Sequence, residues 1–370
     1  MGSYPGEMES RLISPVFVVP AANQNPRLRF WQWFSFAGAA GYPYYDNGSY
    51  GYVEIEAGTS GWERLATFSG SSGVWSEPSI DLSGYAGQSV QVAFHFHSTH
   101  NTSSGWFVDQ VTLVTGPITT LAVNVPVGFE SGLGDWSVDN GVWAIGTPTV
   151  GPGAAYAGTN CAGTALAGSY PGEMESRLIS PTFVVPAANQ NPRLRFWQWF
   201  SFAGAAGYPY YDNGSYGYVE IEAGTNGWQT VTPGYVNSSG EWTEPSIDLS
   251  GYAGQSVQVA FHFHSTHNTA AGWFVDDVTL ETGTVQTLLA NVPQSFEGGL
   301  GDWSAESGSW QVGVPSNANG PGKAYDGTNC AAVGLTANYA SDVESRLISP
   351  VFVVPAANQN PRLRFWQWFS

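Results

Sequence analysis

The chain has 370 residues, enough for two or three domains that each bury a core. Eleven basic residues against 29 acidic ones give a formal net charge of −18, which repels nucleic-acid phosphates and anionic membrane surfaces. No run of eighteen apolar residues occurs, so we expect no membrane-spanning helix. With 46 glycines, 23 prolines and 15% aromatic residues, the composition favours short strands joined by turns over helical bundles.

Alternating side chains predict the strands. In the segment 193–202, Leu194 and Phe196 lie on one face of the predicted strand, and Trp197 and Trp199 lie on the other. The same period of two predicts further strands at 216–222, 256–264 and 272–280. The residues at 186–189 and 212–214 are typical of turns. No segment has a convincing helical period, so we expect an all-β chain.

The sequence contains internal repeats that are nearly identical to one another. Residues 2–59 recur as 168–225 with one change, Val16 against Thr182, and 77–102 recur unchanged as 244–269. A third copy begins where the residues at 129–136 return in similar form at 296–303. The repeats therefore divide the chain, and we refer to them below as the first, second and third repeat.

We expect the first repeat at 1–115 to be the C-terminal part of a domain without its N-terminal strands, and the third repeat at 294–370 to be an N-terminal part. The second repeat, 127–283, is complete, and linkers at 116–126 and 284–293 separate the three. Eight or more short strands in about 155 residues predict tandem two-sheet jelly-roll β-sandwich domains.

Near-verbatim duplication is typical of surface fibres and adhesin stalks. The residues next to Met1 and Ser370 copy internal segments, so we expect both ends to be cuts through a longer array. The parts at 2–115 and 294–370 together supply one domain, which predicts head-to-tail assembly into a filament if the chain is a natural protomer.

Four motifs together resemble a known family: the opening Phe129-Glu130 followed by Trp136, the central 194–199, the run from Tyr211 to Ile221, and the closing 272–278. This combination is similar to bacterial extracellular jelly-roll modules related to MAM domains and to galactose-binding-like carbohydrate-binding modules, found in adhesins and beside secreted peptidases. The similarity spans the whole repeat.

The resemblance implies a structural calcium ion where the opening glutamate meets the closing aspartate. Carried over, it nominates Glu130 with Asp276, and Glu297 and Asp109 in the neighbouring repeats. Calcium prefers several oxygen ligands, which carboxylates and backbone carbonyls supply. The alternative is that these carboxylates accept hydrogen bonds from turn amides.

The aromatic residues allow two interpretations. Rings on a sheet face and on the loop after it form a platform for stacking sugar rings, or they fill the core and the contact with the next domain. The candidate stacking residues are Trp197, Trp199, Tyr208, Tyr210 and Tyr211.

Other reactive side chains fit structural roles better. His262 and His264 share a strand face but lack further ligands for zinc, so we interpret them as surface histidines. Glu220 and Glu222 are predicted to form a solvated edge. Cys161 and Cys330 occupy matching positions a repeat apart and are interpreted as small buried residues, with an intermolecular disulfide as the alternative.

The sequence contains no Gly-x-Ser-x-Gly elbow and no nucleotide fingerprint, so we expect no enzyme. We predict a secreted bacterial cell-surface protein with a structural or adhesive role, whose partners are other copies of itself and neighbouring repeats. A carbohydrate-binding array that recognises glycans, and the non-catalytic region of a secreted hydrolase or peptidase, remain alternatives. We expect neither nucleic acid nor a membrane as partner.

Overall fold

The structure is a computed structural model that describes residues 3–39, 43–209, 211–224, 226–339 and 343–370. Its strands pair antiparallel in every ladder, and 3-10 turns join some of them, at Ala22–Gln24, Ser83–Tyr85, Ala188–Gln190, Ser250–Tyr252 and Ala357–Gln359. The chain is an all-β protein of tandem β-sandwiches, which confirms the fold class predicted from the alternating pattern.

The first repeat forms two facing sheets. One has the strand order β1-β7-β4-β5, with β2 also paired to β7, and the other has the order β6-β3-β8. The strands are β1 (Glu9–Ile13), β2 (Phe17–Val18), β3 (Arg27–Ser35), β4 (Tyr50–Ala57), β5 (Trp62–Phe68), β6 (Ser79–Asp81), β7 (Ser89–His97) and β8 (Gly105–Val114).

The second repeat has the same two sheets with strands added at their edges. Their orders are β16-β15-β18-β12-β9, with β13 paired to β18, and β10-β11-β19-β14-β17. The strands are β9 (Ser137–Val138), β10 (Ala144–Gly146), β11 (Cys161–Gly163), β12 (Glu175–Ile179), β13 (Phe183–Val184), β14 (Arg193–Ser201), β15 (Tyr216–Ala223), β16 (Gln229–Thr230), β17 (Ser246–Asp248), β18 (Ser256–His264) and β19 (Gly272–Glu281).

The third repeat contributes two small two-stranded sheets. In one, β20 (Ser304–Glu306) pairs with β23 (Arg346–Ile348). In the other, β21 (Trp310–Gly313) pairs with β22 (Cys330–Val333). The β20–β23 pair corresponds to the β9–β12 pair of the second repeat. The β21–β22 pair corresponds to its β10–β11 pair.

Aromatic side chains fill the space between the two sheets of the second repeat. Phe261 on β18 meets Phe196 on β14 edge-on at 4.9 Å between ring centroids, and Trp273 on β19 at 5.7 Å. The indole N–H of Trp273 donates to Gln198 Oε1 at 3.0 Å, so the polar atom of this buried ring is satisfied. All three rings are fully buried, so the face of β14 that carries Leu194 and Phe196 is the inward one.

Gly217 on β15 shows how closely the two sheets approach each other. A Cβ atom at this position would lie 2.6 Å from the Trp273 ring. Only glycine leaves room for the indole there, which explains a glycine in the interior of a strand.

Candidate functional site

Two arginines on the outer face of β3 reach into the second repeat. Arg27 Nη2 donates to Asp135 Oδ1 at 2.7 Å, and Arg29 Nη1 donates to the carbonyl oxygen of Gly134 at 2.6 Å. The other carboxylate oxygen of Asp135 accepts the amide of Thr119 in the linker at 2.8 Å. Charge-assisted bonds from three directions therefore fix the first repeat against the second. We call this contact the first seam.

The same contact recurs between the second and third repeats, as the second seam. Arg193 Nη2 donates to Asp302 Oδ1 at 3.0 Å, and Arg195 Nη1 donates to the carbonyl oxygen of Gly301 at 2.8 Å. The amide of Gln286 in the second linker donates to Asp302 Oδ2 at 2.7 Å. One set of residue types thus joins both pairs of repeats in one manner.

The seam arginines are partly desolvated. The side chains of Arg27 and Asp135 are only 11% and 15% exposed. Arg29 also pairs with Glu77 at 2.7 Å, just as Arg195 pairs with Glu244 at 2.6 Å. Ion pairs of this kind hold their geometry better than solvated surface pairs, whose contribution is often negligible.

Small residues complete each seam. In the first, Asn140 Oδ1 accepts the amide of Ser69 at 3.1 Å, and a Cβ atom on Gly141 would lie 2.3 Å from Ser76 Oγ. In the second, Ser309 Oγ donates to the carbonyl oxygen of Ser239 at 3.0 Å. At each seam a side chain of one repeat therefore bonds directly to the backbone of its neighbour.

The sequence analysis gave these arginines no role. A signal was present: the pairs at 27 and 29, 193 and 195, and 362 and 364 account for six of the chain's eleven basic residues. Such concentration of scarce positive charge at one repeated position indicates a repeated acidic partner.

Glu130, the first predicted calcium ligand, closes a turn. Its Oε1 accepts the backbone amides of Thr159 and Asn160 at 2.8 and 2.9 Å. These amide bonds lower the pKa of the Glu130 carboxyl. In the third repeat, Glu297 Oε1 accepts the amides of Thr328 and Asn329 in the same way, at 3.0 and 2.9 Å.

Asp276, the second predicted ligand, is buried on β19 near the same loop. Its Oδ2 accepts the amide of Ala157 at 3.1 Å and its Oδ1 accepts the amide of Asp277 at 2.8 Å. Burial raises the pKa of Asp276 to about 6, although the two amides act in the opposite direction. In the first repeat, Asp109 Oδ1 accepts the amide of Gln110 at 2.8 Å.

These surroundings do not fit a calcium ion well. Calcium needs several oxygen ligands, whereas the atoms bonded to Glu130 and Asp276 are N–H donors. Among the residues that the structure describes, no three His, Cys, Asp or Glu side chains form a group that could hold a metal. The contacts match the turn-amide alternative, and calcium stays a prediction.

The predicted stacking residues fall into two separate places. Trp197 stacks on Tyr156 at 3.7 Å between centroids with the planes 10° apart, and Trp242 meets Tyr156 edge-on at 6.1 Å. Trp199 contacts the buried ring of Phe274 at 5.7 Å. Both tryptophans lie half-buried on the outer face of β14 beneath a loop of their own repeat.

Tyr208 and Tyr211 lie in the loop that follows β14 and are both exposed. Their rings meet edge-on at 6.1 Å. Tyr210 lies outside the described residues. The four candidates that the structure describes therefore do not lie along one strand face. The ring cluster around Trp197 also contains Tyr156 and Trp242, which the sequence analysis had not linked to it.

The two strand histidines join an ionic network on the outer face of the other sheet. Glu175 on β12 bonds to both His262 Nε2 and His264 Nδ1, and Glu220 on β15 lies 3.1 Å from His262 Nδ1. Arg177 Nε donates to Glu220 at 2.8 Å. Burial lowers the pKa of His262, but its bonds to the two glutamates outweigh burial and raise that pKa to about 9.

The prediction that Glu220 belongs to a solvated edge is wrong. Glu220 is buried, because β18 and β12 bring His262 and Arg177 over it. The first repeat repeats this pairing with Glu54 between Arg11 and His95. The strand period gave the face of the glutamate correctly but could not show which neighbours cover that face.

The two cysteines are free thiols in the structure. Cys161 is fully buried, and burial raises its pKa to about 12, which leaves it protonated and unreactive. Cys330 is partly buried, and burial raises its pKa too. Within the described ranges, no helix has the length and apolar character needed to cross a membrane.

Comparison with known proteins gives limited matches. No protein-family model matches the sequence. Bacillopeptidase F of Bacillus subtilis (strain 168) is 33% identical over 156 residues, which is 41% of this chain. The match covers only 10% of the length of that curated relative.

Three solved structures are similar at low identity. TmCBM61 in complex with β-1,4-galactotriose is 17% identical, with 44% of this chain and 98% of that chain covered and a TM-score of 0.30. The K2 cleaved adhesin domain of Lys-gingipain is 17% identical, with 41% and 96% covered and a TM-score of 0.28. The tandem CBM22 domains of Paenibacillus barcinonensis Xyn10C are 13% identical, with 72% and 80% covered and a TM-score of 0.25. The structures that this chain resembles are thus carbohydrate-binding modules and an adhesin domain, and its sandwich fold follows from the sheets described above.

Proposed function

We propose that the chain is an extracellular array of β-sandwich repeats with a structural and adhesive role at a bacterial cell surface, and that copies associate head to tail into a filament. The observation that carries the proposal is the repeated seam. Arg27, Arg29 and Asp135 join the first two repeats, and the equivalent residues join the next two. A joint of constant geometry turns independent domains into a stiff spacer.

The linkers support this role. The linker at 116–126 is bonded to the repeats on both of its sides, because the amide of Gly116 donates to the carbonyl oxygen of Gln24 in the first repeat at 2.8 Å and the amide of Thr119 donates to Asp135 in the second repeat at 2.8 Å. A linker bonded to the domains on both sides restricts rotation between them. Such a chain keeps its ends apart, as a stalk must.

Small-angle X-ray scattering tests the spacer. We expect the double substitution Arg27→Gln with Arg29→Gln to increase the radius of gyration and to broaden the distance distribution, because the first seam loses its charged donors. Arg64→Gln is the matched control, since Arg64 covers the ring of Tyr52 within the first repeat at 3.5 Å and takes no part in a seam. Unchanged scattering of the double variant would refute the rigid seam.

Carbohydrate recognition is a second candidate, favoured by the rings of Tyr156, Trp197 and Trp242. They lie beside acidic groups: burial, followed by the negative charges of Glu244 and Asp277, raises the pKa of Tyr156. Rings with adjacent hydrogen-bonding groups are typical of sugar-binding surfaces. A titration with neutral polysaccharides, followed by tryptophan fluorescence, tests this function. We expect Trp242→Ala to abolish the fluorescence response. Trp62→Ala is the control and should retain it.

The match to Bacillopeptidase F favours a third role, the non-catalytic region of a secreted peptidase. The described residues supply scaffolding contacts and no nucleophile with an adjacent base that we can identify, so on this view the chemistry belongs to another part of a longer protein. The full reading frame decides whether a catalytic domain accompanies the array.

A further inference from the structure

A loop of the first repeat also contacts the second repeat at the first seam. This loop comprises residues 69–73, and we call it the seam loop. The amide of Ser71 donates to Met174 Sδ in the second repeat at 3.0 Å, and a Cβ atom on Gly70 would lie 2.7 Å from the same sulfur. Met174 is only 1% exposed, so this sulfur lies buried where the two repeats meet.

Hydrogen bonds fix the backbone on both sides of this contact. In the first repeat, the amide of Phe36 donates to the carbonyl oxygen of Gly70 at 2.7 Å, which ties the seam loop to the residue that follows β3. In the second repeat, the amide of Met174 donates to Ser265 Oγ at 2.9 Å, and the amide of Ser265 donates to the Met174 carbonyl oxygen at 2.8 Å. Both backbones are held in place, so a side chain at position 70 has no room beside the sulfur.

The second repeat has the same loop at 236–240, with Asn237 in place of Gly70. The amide of Phe202 donates to the Asn237 carbonyl oxygen at 2.6 Å, as Phe36 does to Gly70. The φ angles are also alike, +62° for Asn237 and +72° for Gly70, and asparagine adopts this left-handed region more readily than most residues. The two loops therefore follow the same path, and one carries a side chain where the other has none.

The repeat that faces this second loop differs at the matching position. Val343 of the third repeat occupies the place of Met174 in the sequence. The third repeat lies against the loop, because a Cβ atom on Gly308 would lie 2.5 Å from Ser239. A valine side chain ends at Cγ, one bond short of the position of a methionine sulfur. The first seam therefore combines glycine with methionine, and the second combines asparagine with valine.

We propose that these two positions determine which repeats can be neighbours. A repeat with glycine at the position of Gly70 accepts a following repeat with methionine at the position of Met174, and a repeat with asparagine there accepts one with valine. The partner that each loop fits is thus another repeat of the matching kind. The inference rests on the spacer proposed above, because it concerns the same seams.

The two possible mismatches fail for different physical reasons. Asparagine opposite methionine places a Cβ atom against the sulfur at a distance that packed atoms do not tolerate. Glycine opposite valine leaves a gap and removes the acceptor of the Ser71 amide. The arginine–aspartate bonds are alike at both seams, so they cannot supply this discrimination.

The order of the chain keeps each loop with the repeat that it fits. Residues 10–35 and 345–370 are identical, and 176–201 differ from them only at Thr182. This near-identical segment begins just after the position of Met174, so a seam loop and its matching partner lie between two such segments. An exchange of repeats within these segments transfers both together.

Hydrogen exchange at the Ser69 amide tests the proposal, because this amide crosses the first seam to Asn140 Oδ1 at 3.1 Å. We expect Gly70→Asn to accelerate its exchange at least about tenfold, since the new Cβ atom forces the repeats apart. Gly87→Asn is the matched control. Gly87 has a φ of +76°, and a Cβ atom there meets nothing within 4 Å, so the same substitution should leave the exchange at Ser69 unchanged.

A second substitution should restore the seam. The double variant Gly70→Asn with Met174→Val reproduces the combination of the second seam, and we expect the exchange at Ser69 to return to within about threefold of the unaltered chain. If Gly70→Asn alone does not fold, the comparison of the double variant with the unaltered chain decides.

The pairing is refuted if Gly70→Asn exchanges like the unaltered chain, or if the double variant exchanges at least about tenfold faster than the unaltered chain. The scattering experiment on Arg27 and Arg29 is separate, because neither arginine lies in the seam loop. Scattering that shows a rigid seam, together with unchanged exchange in Gly70→Asn, would leave the spacer standing and remove only the pairing.

Discussion

At the scale of single residues, carboxylates bonded to amides and cations set the local structure. Glu130 and Glu297 close equivalent turns through two backbone amides each. Asp135 and Asp302 receive an arginine and a linker amide. These four acidic side chains are therefore specific hydrogen-bond acceptors. The acidic residues of the chain thus do more than keep its surface solvated.

Substitution of Glu130 separates its two possible roles. We expect Glu130→Ala to lower the melting temperature, because the amides of Thr159 and Asn160 lose their acceptor. Glu130→Gln should change it little, since the amide oxygen still accepts both bonds. If EDTA lowers the melting temperature of the unaltered chain, and Glu130→Gln abolishes that effect, then calcium and not the turn explains the glutamate.

The pKa of His262 predicts a pH dependence of stability. Its pKa is raised from the usual 6.5 to about 9, so its ion pairs stabilise the fold fully below pH 6.5 and are lost as the pH rises through 9. The shift corresponds to at most about 3 kcal/mol. Thermal unfolding from pH 6 to 10 should show this loss, and His262→Gln should remove it. An identical pH profile for the variant would contradict the assignment.

At the scale of strands, one sequence lies in two environments. The residues at 105–109 and 272–276 are identical, yet β8 ends its sheet whereas β19 lies between two strands. In the second repeat the amide of Trp273 points toward β11 and donates to Thr164 Oγ1 at 2.9 Å. The corresponding amide of Trp106 faces the open edge of β8.

Hydrogen exchange measures this difference without an intrinsic-rate correction, because the local sequences match. In dilute solution we expect the amide of Trp106 to exchange at least about tenfold faster than that of Trp273. Equal protection of both amides in the dilute chain would contradict the edge assignment.

At the scale of the whole molecule, local patterns predicted more than long-range contacts. The four central strands, and the division of the β14 side chains between two faces, follow from alternation, because side chains on a strand have a period of two. The seams could not be inferred in the same way, since Arg27 and Asp135 are 108 residues apart and an outer strand face is ordinarily solvated. Glu220 was assigned wrongly for the same reason: its cover comes from β12 and β18, which sequence spacing does not place beside it.

The candidate sites show the same contrast between local patterns, which the sequence predicts, and long-range contacts, which it does not. The family resemblance predicted that Glu130 and Asp276 share a calcium ion, and this stays a prediction. In the structure both carboxylates accept hydrogen bonds from backbone amides, Glu130 from Thr159 and Asn160 and Asp276 from Ala157. The sequence could not show which atoms contact these two carboxylates, because that depends on the path of the segment 157–160, which has no periodic pattern. The stacking of Tyr156 on Trp197 was likewise hidden, because the ring comes from that irregular segment.

The seam has a consequence for how such a protein changes length. The second and third repeats each carry both the arginine pair and the Gly-Asp acceptor, so a repeat of this kind that is gained or lost through recombination brings its own complete joint. The rotation and rise between neighbours then stay constant, and the reach of the molecule grows by a fixed increment for every copy added. Extension therefore needs no compensating mutation anywhere else in the gene.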